Sequence, residues 1–401
     1  MRRRLGIAAG LVMAALLIAG CGGSHPSASQ RTRTSSAEAA QGNGASASTS
    51  SATAAGALAR PFATTSPWNT RVDQQPVDPR SSRMIALAER RQDVEYTGGP
   101  TPLVVTRTIN SGLFVNTRRW SDTIAESAEG VATTVECRQE TAYCGDGSQL
   151  KTLDIPADVS PEPQYDGWMT VLDVSGGFAY DLWRARRAGG QNVISYQYMR
   201  RWSLTGPGYA PPGVASARGS GLPLFAGLIT PTDIKAGNIE HALAISVPGP
   251  ARGRYVQPAS STDGVGPEAS LPEGARIRLR SDFQLRRVST GTDASAARAI
   301  VRALKLYGAI VVDRARVPTL YAQLNYDWQT PLRSAAGRLI YGNGRELPAT
   351  LQRARGQGVP LLRGNEVQSL RLSDFEVVSL PPGHAYPSPE TGAVPSTSLS
   401  Q

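Results

Sequence analysis

Apolar and polar positions alternate with a period of two along most of the central chain, and long stretches of helical periodicity are few. The clearest pair of alternating runs is DGWMTVLDVSGGFAYDLWRARR, residues 166–187. Two strand-like segments flank Ser175-Gly176, a hairpin turn signal. A two-residue loop, or a four-residue loop from Val174 to Gly177, gives one register. Trp168 then faces Trp183, Thr170 faces Asp181 and Leu172 faces Ala179, all on one side of the ribbon. Met169, Val171, Phe178, Tyr180 and Leu182 occupy the other side, which reads as core. A three-residue turn would slip the register and carry Asp181 across the sheet.

The same patterning predicts the remaining elements. A helix is expected over residues 81–91, with Ile85, Leu87 and Ala88 inward, and strands over 103–107, 113–117 and 150–155. Residues 192–202 read as one continuous strand, with Ser195, Gln197 and Arg201 on one face and Ile194, Tyr196, Tyr198 and Trp202 on the other. Residues 206–221 form a loop rich in Gly, Pro, Ser and Arg, long enough to suggest a functional role. It lacks the Gly-Lys-Ser/Thr ending of a phosphate-binding loop. Thr230, Pro231 and Asp233 then make a helix start and Gly237 a stop. HALAISVP follows as a strand that begins at His241. Further strands are expected at 254–256, 275–279, 309–312 and 373–380, and helices at 293–307 and 348–355. Short strands dominate. The expected fold is mainly β, a sandwich or jelly-roll with a few peripheral helices.

The chain ends differ from this middle. Arg2, Arg3 and Arg4 precede an apolar run over residues 5–20, too short for a membrane span, which reads as a signal peptide. Its ending, Leu17-Ile18-Ala19-Gly20-Cys21, closely resembles the lipobox of bacterial lipoproteins, which implies cleavage before Cys21, lipidation of its thiol, and anchoring at the outer face of the membrane. Residues 21–59 are Ser-, Ala- and Thr-rich and form a flexible tether, residues 60–380 the folded domain, and residues 381–401 a loose tail. The sequence holds three cysteines. With Cys21 lipidated, Cys137 and Cys144 are left to form a disulfide across a short loop.

Of 401 residues, 42 are Lys or Arg and 32 Asp or Glu, a formal net charge of +10. That balance favours an anionic glycan or membrane surface as a partner. Nucleic acid is not expected, because no long basic run, zinc-finger spacing or RNA-binding aromatic motif occurs.

His241 is the one histidine inside the folded region, since His25 lies in the tether and His384 in the tail. A lone histidine disfavours a zinc hydrolase, and no metal or cofactor is expected. G-x-S-x-G is absent, which removes the usual serine elbow. Two carboxylates about 5 to 10 Å apart suffice for glycoside hydrolysis. A base with a charge-neutralising Arg or Gln suffices for a lyase acting beside a uronate. Asp166, Asp181, Glu240 and Asp263 are the carboxylates that can accompany His241. The expected catalytic set is His241, Asp181 and Asp166, with Trp168, Trp183, Tyr196 and Arg201 binding sugar, since flat rings stack on pyranose faces.

The runs GLPLFAGLITPTDIKAGNIEHALAI, DGWMTVLD, YDLWRA and RAIVRALKLYGAIVVD resemble a group of exported bacterial proteins common in actinobacteria. The resemblance spans most of residues 166–313 and implies a secreted, carbohydrate-associated, β-rich domain. It carries over no catalytic residues. Two readings stay open: a lipid-anchored glycoside hydrolase or polysaccharide lyase, and a non-enzymatic envelope lipoprotein that binds a glycan or partner protein.

Overall fold

A computed structural model describes residues 60–95, 103–117, 120–157, 159–161, 166–188, 192–285, 294–324, 332–333, 339–340 and 362–385. The signal-like segment, Cys21, the tether to residue 59, the helix expected over 348–355 and the tail beyond 385 lie outside the described residues.

In chain order the strands are β1 (Arg90–Glu95), β2 (Leu103–Thr108), β3 (Phe114–Asn116), β4 (Thr123–Glu126), β5 (Val131–Cys137), β6 (Thr152–Ile155) and β7 (Met169–Asp173). There follow β8 (Phe178–Trp183), β9 (Arg186–Arg187), β10 (Val193–Tyr196), β11 (Tyr198–Ser203), β12 (Leu243–Val247), β13 (Arg254–Val256) and β14 (Arg276–Leu279). The last are β15 (Ala309–Arg314), β16 (Thr319–Tyr321), β17 (Leu332–Arg333), β18 (Leu339–Ile340), β19 (Phe375–Val377) and β20 (Gly383–Ala385). Three α-helices accompany them among the described residues: α1 (Ser81–Ala88), α2 (Pro231–Ala236) and α3 (Ala294–Leu306). The fold is mainly β with sheet-on-sheet packing and outlying helices, as the patterning indicates.

Three sheets stack with three cores between and outside them. The largest has the order β19-β14-β15-β12-β16-β3, with β12 parallel to β15 and β16 parallel to β3. Its strands are apolar on both sides, as expected for parallel strands covered on two faces. Leu243, Ile245, Ala309 and Val311 face one core with helices α1 and α3, while Ala244, Ile310 and Val312 face a second. That second core is shared with Leu172 and Ala179 of the sheet β11-β8-β7-β4. The opposite side of this middle sheet, Met169, Val171 and Leu182, packs on Val135, Leu153 and Ile194 of the sheet β6-β5-β10-β9.

The hairpin register is the expected one, with Thr170 paired to Asp181 and Leu172 to Ala179. Its burial is not. Both faces of the ribbon are covered, so the Thr170–Asp181 side, expected to offer Asp181 to a sugar, is instead the inside of a core. The strand expected over residues 192–202 also divides. Gln197 donates its N–H to Trp183 O at the break, and β10 and β11 join different sheets on either side of it. The end of the domain extends further than expected, because β20 pairs with β13 and stacks His384 on Tyr255 at 5.3 Å. The expected bond between Cys137 and Cys144 is formed and closes the loop after β5.

Candidate active site

The parallel pair β12 and β15 ends at Pro248 and at Asp313-Arg314, and a cleft of about 870 Å³ opens there. The carboxyl ends of parallel strands are a recurrent ligand site, because the connecting loops diverge at that edge. Here the loops contribute Asp166 and Trp168 before β7, Trp183 and Arg184 at the end of β8, Ala215–Gly219, and Ser261–Asp263. The ladder between β12 and β15 slips by one residue between Ile245 and Ser246, which pairs Ser246 with Asp313. A bulge of this kind re-aims the side chains beyond it.

Aromatic rings form much of the wall. Trp120, Trp168, Trp183 and Tyr321 line the cleft, and Arg184 stacks over the Trp183 ring at 4.5 Å. Among the described residues three non-glycine residues have positive φ, and two of them, Trp120 and Arg184, stand in this wall. Such conformations cost of order 1–3 kcal/mol each and concentrate at ligand sites. Arg218 is 3% exposed, sandwiched between Trp168 at 5.1 Å and Tyr321 at 5.0 Å from the ring centroids. Two of its nitrogens donate to Pro223 O and Leu224 O, which fixes the guanidinium plane.

At the floor, Asp263, Glu273 and Asp313 each bring a carboxylate oxygen within 4.8 Å of the others. Asp263 is ion-paired with Arg314 at 3.1 Å. Glu273 is fully buried and its Oε2 accepts from the Asp263 N–H. Glu273 Oε1 and Asp263 Oδ1 are both buried and have no hydrogen-bond partner among the described residues. Burial pushes the Glu273 carboxyl well above its usual range, and repulsion from Asp263 and Asp313 adds to it. Burial likewise raises Asp313 to about 8, with Asp263 repelling it further and Arg218 partly offsetting the effect. Three carboxylates this close need protons or a hard cation between them. Next to Glu273, Gly274 has φ +85°, and a Cβ there would lie 1.7 Å from Val256 O.

The residues expected from sequence fall into two groups. Asp166, Trp168 and Trp183 line the cleft, as does Asp263. His241, Asp181, Tyr196 and Arg201 do not. His241 is 1% exposed; its Nδ1 lies 3.0 Å from Ala242 O and its Nε2 3.5 Å from Asp233 Oδ2. It closes the start of α2, where Thr230 and Asp233 make a capping box. Burial opposes its charge, but the Asp233 carboxylate outweighs burial and raises its pKa.

Asp181 is also sealed, accepting from Trp202 Nε1 at 2.8 Å and Leu224 N at 2.7 Å. Thr170 Oγ1 lies 2.6 Å from both Asp181 Oδ1 and Asp122 Oδ2. A hydroxyl has one proton, so one carboxyl must donate to it. Asp181 already accepts two donors, which leaves Asp122 protonated, and its pKa is driven well up by burial and by Asp181. Tyr196 is buried and donates to Gly147 O. Arg201 is exposed with its guanidinium over Phe178, on a different part of the surface.

Sequence reasoning missed Arg218, Glu273, Asp313 and Tyr321. Asp313 had a signal: a carboxylate ending the buried run AIVV at residues 309–312. Arg218 had one in the long Gly/Pro/Arg loop. Glu273 had none, since its site is assembled across the fold. No protein-family model, no curated protein and no solved structure matches this chain.

Proposed function

We propose that this protein is a carbohydrate-active hydrolase of the retaining type, tethered through Cys21 to the outer face of a bacterial membrane. The observation that carries this reading is the pairing of Asp313 and Asp263 on the floor of a tryptophan-lined cleft, with carboxylate oxygens inside 4.8 Å of each other. Retaining glycosidases hold their two carboxyls about 5–5.5 Å apart, and inverting ones hold them further apart to admit a water.

In this reading sugar rings stack on Trp183 and Trp120 while Trp168 backs the wall behind Arg218, and Arg184 and Arg316 favour a substrate with acidic groups. Asp313, protonated at neutral pH, donates its proton to the glycosidic oxygen as the C–O bond breaks. Asp263 attacks the anomeric carbon, and Arg314 holds its carboxylate in place. Water then displaces Asp263: its hydroxyl goes to the sugar and its proton returns to Asp313. Glu273 sets the charge of the pair from behind.

The test is incubation of the purified protein with cell-wall and uronate-containing glycans, followed by product analysis. Cleavage is expected, and Asp313→Asn and Asp263→Asn should each lower kcat by about 10²–10⁴-fold. Absence of products across such substrates, or full activity in both variants, defeats the hydrolase reading. Saturable binding without turnover, weakened by Trp183→Ala, would identify a glycan-binding lipoprotein instead.

A further inference from the structure

A second concavity, of about 670 Å³, lies away from the cleft along helix α3. It is lined by Arg71, Arg298, Arg302 and Lys305 around an apolar floor of Phe283, Leu285, Val301 and Leu306, and no carboxylate lines it among the described residues. The sequence of α3 makes this groove directly. Its inward face is small and aliphatic, with Ala296, Ala299, Ile300, Ala303 and Leu304 buried. Arg298, Arg302 and Lys305 fall at spacings of four and three, one stripe on the outer face. Lys305 Nζ donates to Ser281 O and Phe283 O, both at 2.8 Å, and so fixes the apolar wall against the helix. Arg71 is held bidentately by Asp73. Arg298 and Arg302 are exposed and pair with no described carboxylate.

We propose that this groove docks anionic phospholipid headgroups, so that the tethered domain lies with α3 against the membrane. Two features select that occupant. Cationic rim and apolar floor match an amphiphile with an anionic head, and a domain anchored at Cys21, on the reading above, meets its own membrane surface at high effective concentration. The docking face belongs to the helix side of the six-stranded sheet, whereas Trp168 and Tyr321 of the cleft belong to the core on its other side.

The test is co-sedimentation of the mature chain, Cys21→Ser so that it carries no lipid, with vesicles. Binding to phosphatidylcholine vesicles containing a quarter phosphatidylglycerol should be at least tenfold tighter than to pure phosphatidylcholine. Arg298→Glu with Arg302→Glu should abolish that preference, and Arg298→Lys with Arg302→Lys should keep most of it. Arg201→Glu with Arg363→Glu, an equal change in net charge elsewhere, should leave it within about twofold. Equal binding to both vesicles, or equal loss in the two Glu pairs, overturns the proposal. So does retention by these arginines of a soluble acidic glycan with no retention of vesicles.

Discussion

At the scale of single residues, protonation separates roles that residue type does not. Asp313 and Asp181 are both strand aspartates, yet one lines the cleft and the other is sealed in a core. If Asp313 is the proton donor, kcat/KM should fall as pH rises through about 8, the value to which burial raises it. A pH–rate profile checks this, and Asp313→Glu should shift the falling limb. His241 predicts a stability effect instead. Its folded pKa is raised by Asp233, so the pair stabilises fully below pH ~6.5, the unfolded value, and the contribution is lost as pH rises through the folded one. His241→Gln should therefore cost more stability at pH 5.5 than at pH 9 by urea unfolding, with kcat changed less than about threefold. The sequence singled out His241 because it is the lone internal histidine. The fold, not the sequence spacing, brings its Nε2 to 3.5 Å from Asp233 Oδ2 of the capping box.

At the scale of elements, local rules worked where local chemistry decides. Thr230, Pro231, Asp233 and Gly237 form the expected helix, with Gly237 at φ 66° closing it. Thr230→Ala should cost about 1 kcal/mol, the usual worth of an N-cap, measured by thermal or urea unfolding. The hairpin register was legible for the same reason, since a turn of two or four residues fixes it. What the sequence did not carry is what covers each face. Thr170 and Asp181 alternate with apolar neighbours as a solvated face does, but a third sheet's worth of chain, the segment Leu222–Leu228, closes over them. Likewise residues 192–202 alternate without a break, and the sheet switch at Gln197 follows from Trp183 O taking its N–H. The cleft shows the same division. Trp168, Trp183 and Asp166 were legible from the hairpin, whereas Glu273 reaches the site only through the fold. Gly274→Ala should destabilise by at least about 2 kcal/mol through its positive φ and its clash with Val256 O.

At the scale of the whole molecule, five carboxyls shift in the same direction. Asp122, Glu273, Asp313 (about 8), Asp181 (about 6) and Glu126 (about 7) are all raised, chiefly by burial. Each binds a proton more tightly folded than unfolded, so between the unfolded carboxyl range near pH ~4 and pH ~8 the native state carries the excess of protons. Stability must then fall as pH rises across that window, and His241 adds to the trend above pH ~6.5. Asp78, lowered to about 2 by Arg80, acts the other way, but its contribution is lost only below the window. The net charge of +10 also opposes the trend, since acidification adds positive repulsion. Exposed charges are screened beyond about 8 Å at physiological salt, and buried groups are screened much less, so the buried acids decide the slope. Urea unfolding at 0.15 M salt should give a higher midpoint at pH 5 than at pH 8, and Asp122→Asn with Glu273→Gln should flatten the difference. A midpoint that rises from pH 5 to pH 8 would mean that these carboxylates are ionised in the folded protein. The protonated Asp313, and with it the acid–nucleophile pair of the cleft, would then be lost as an explanation of the site.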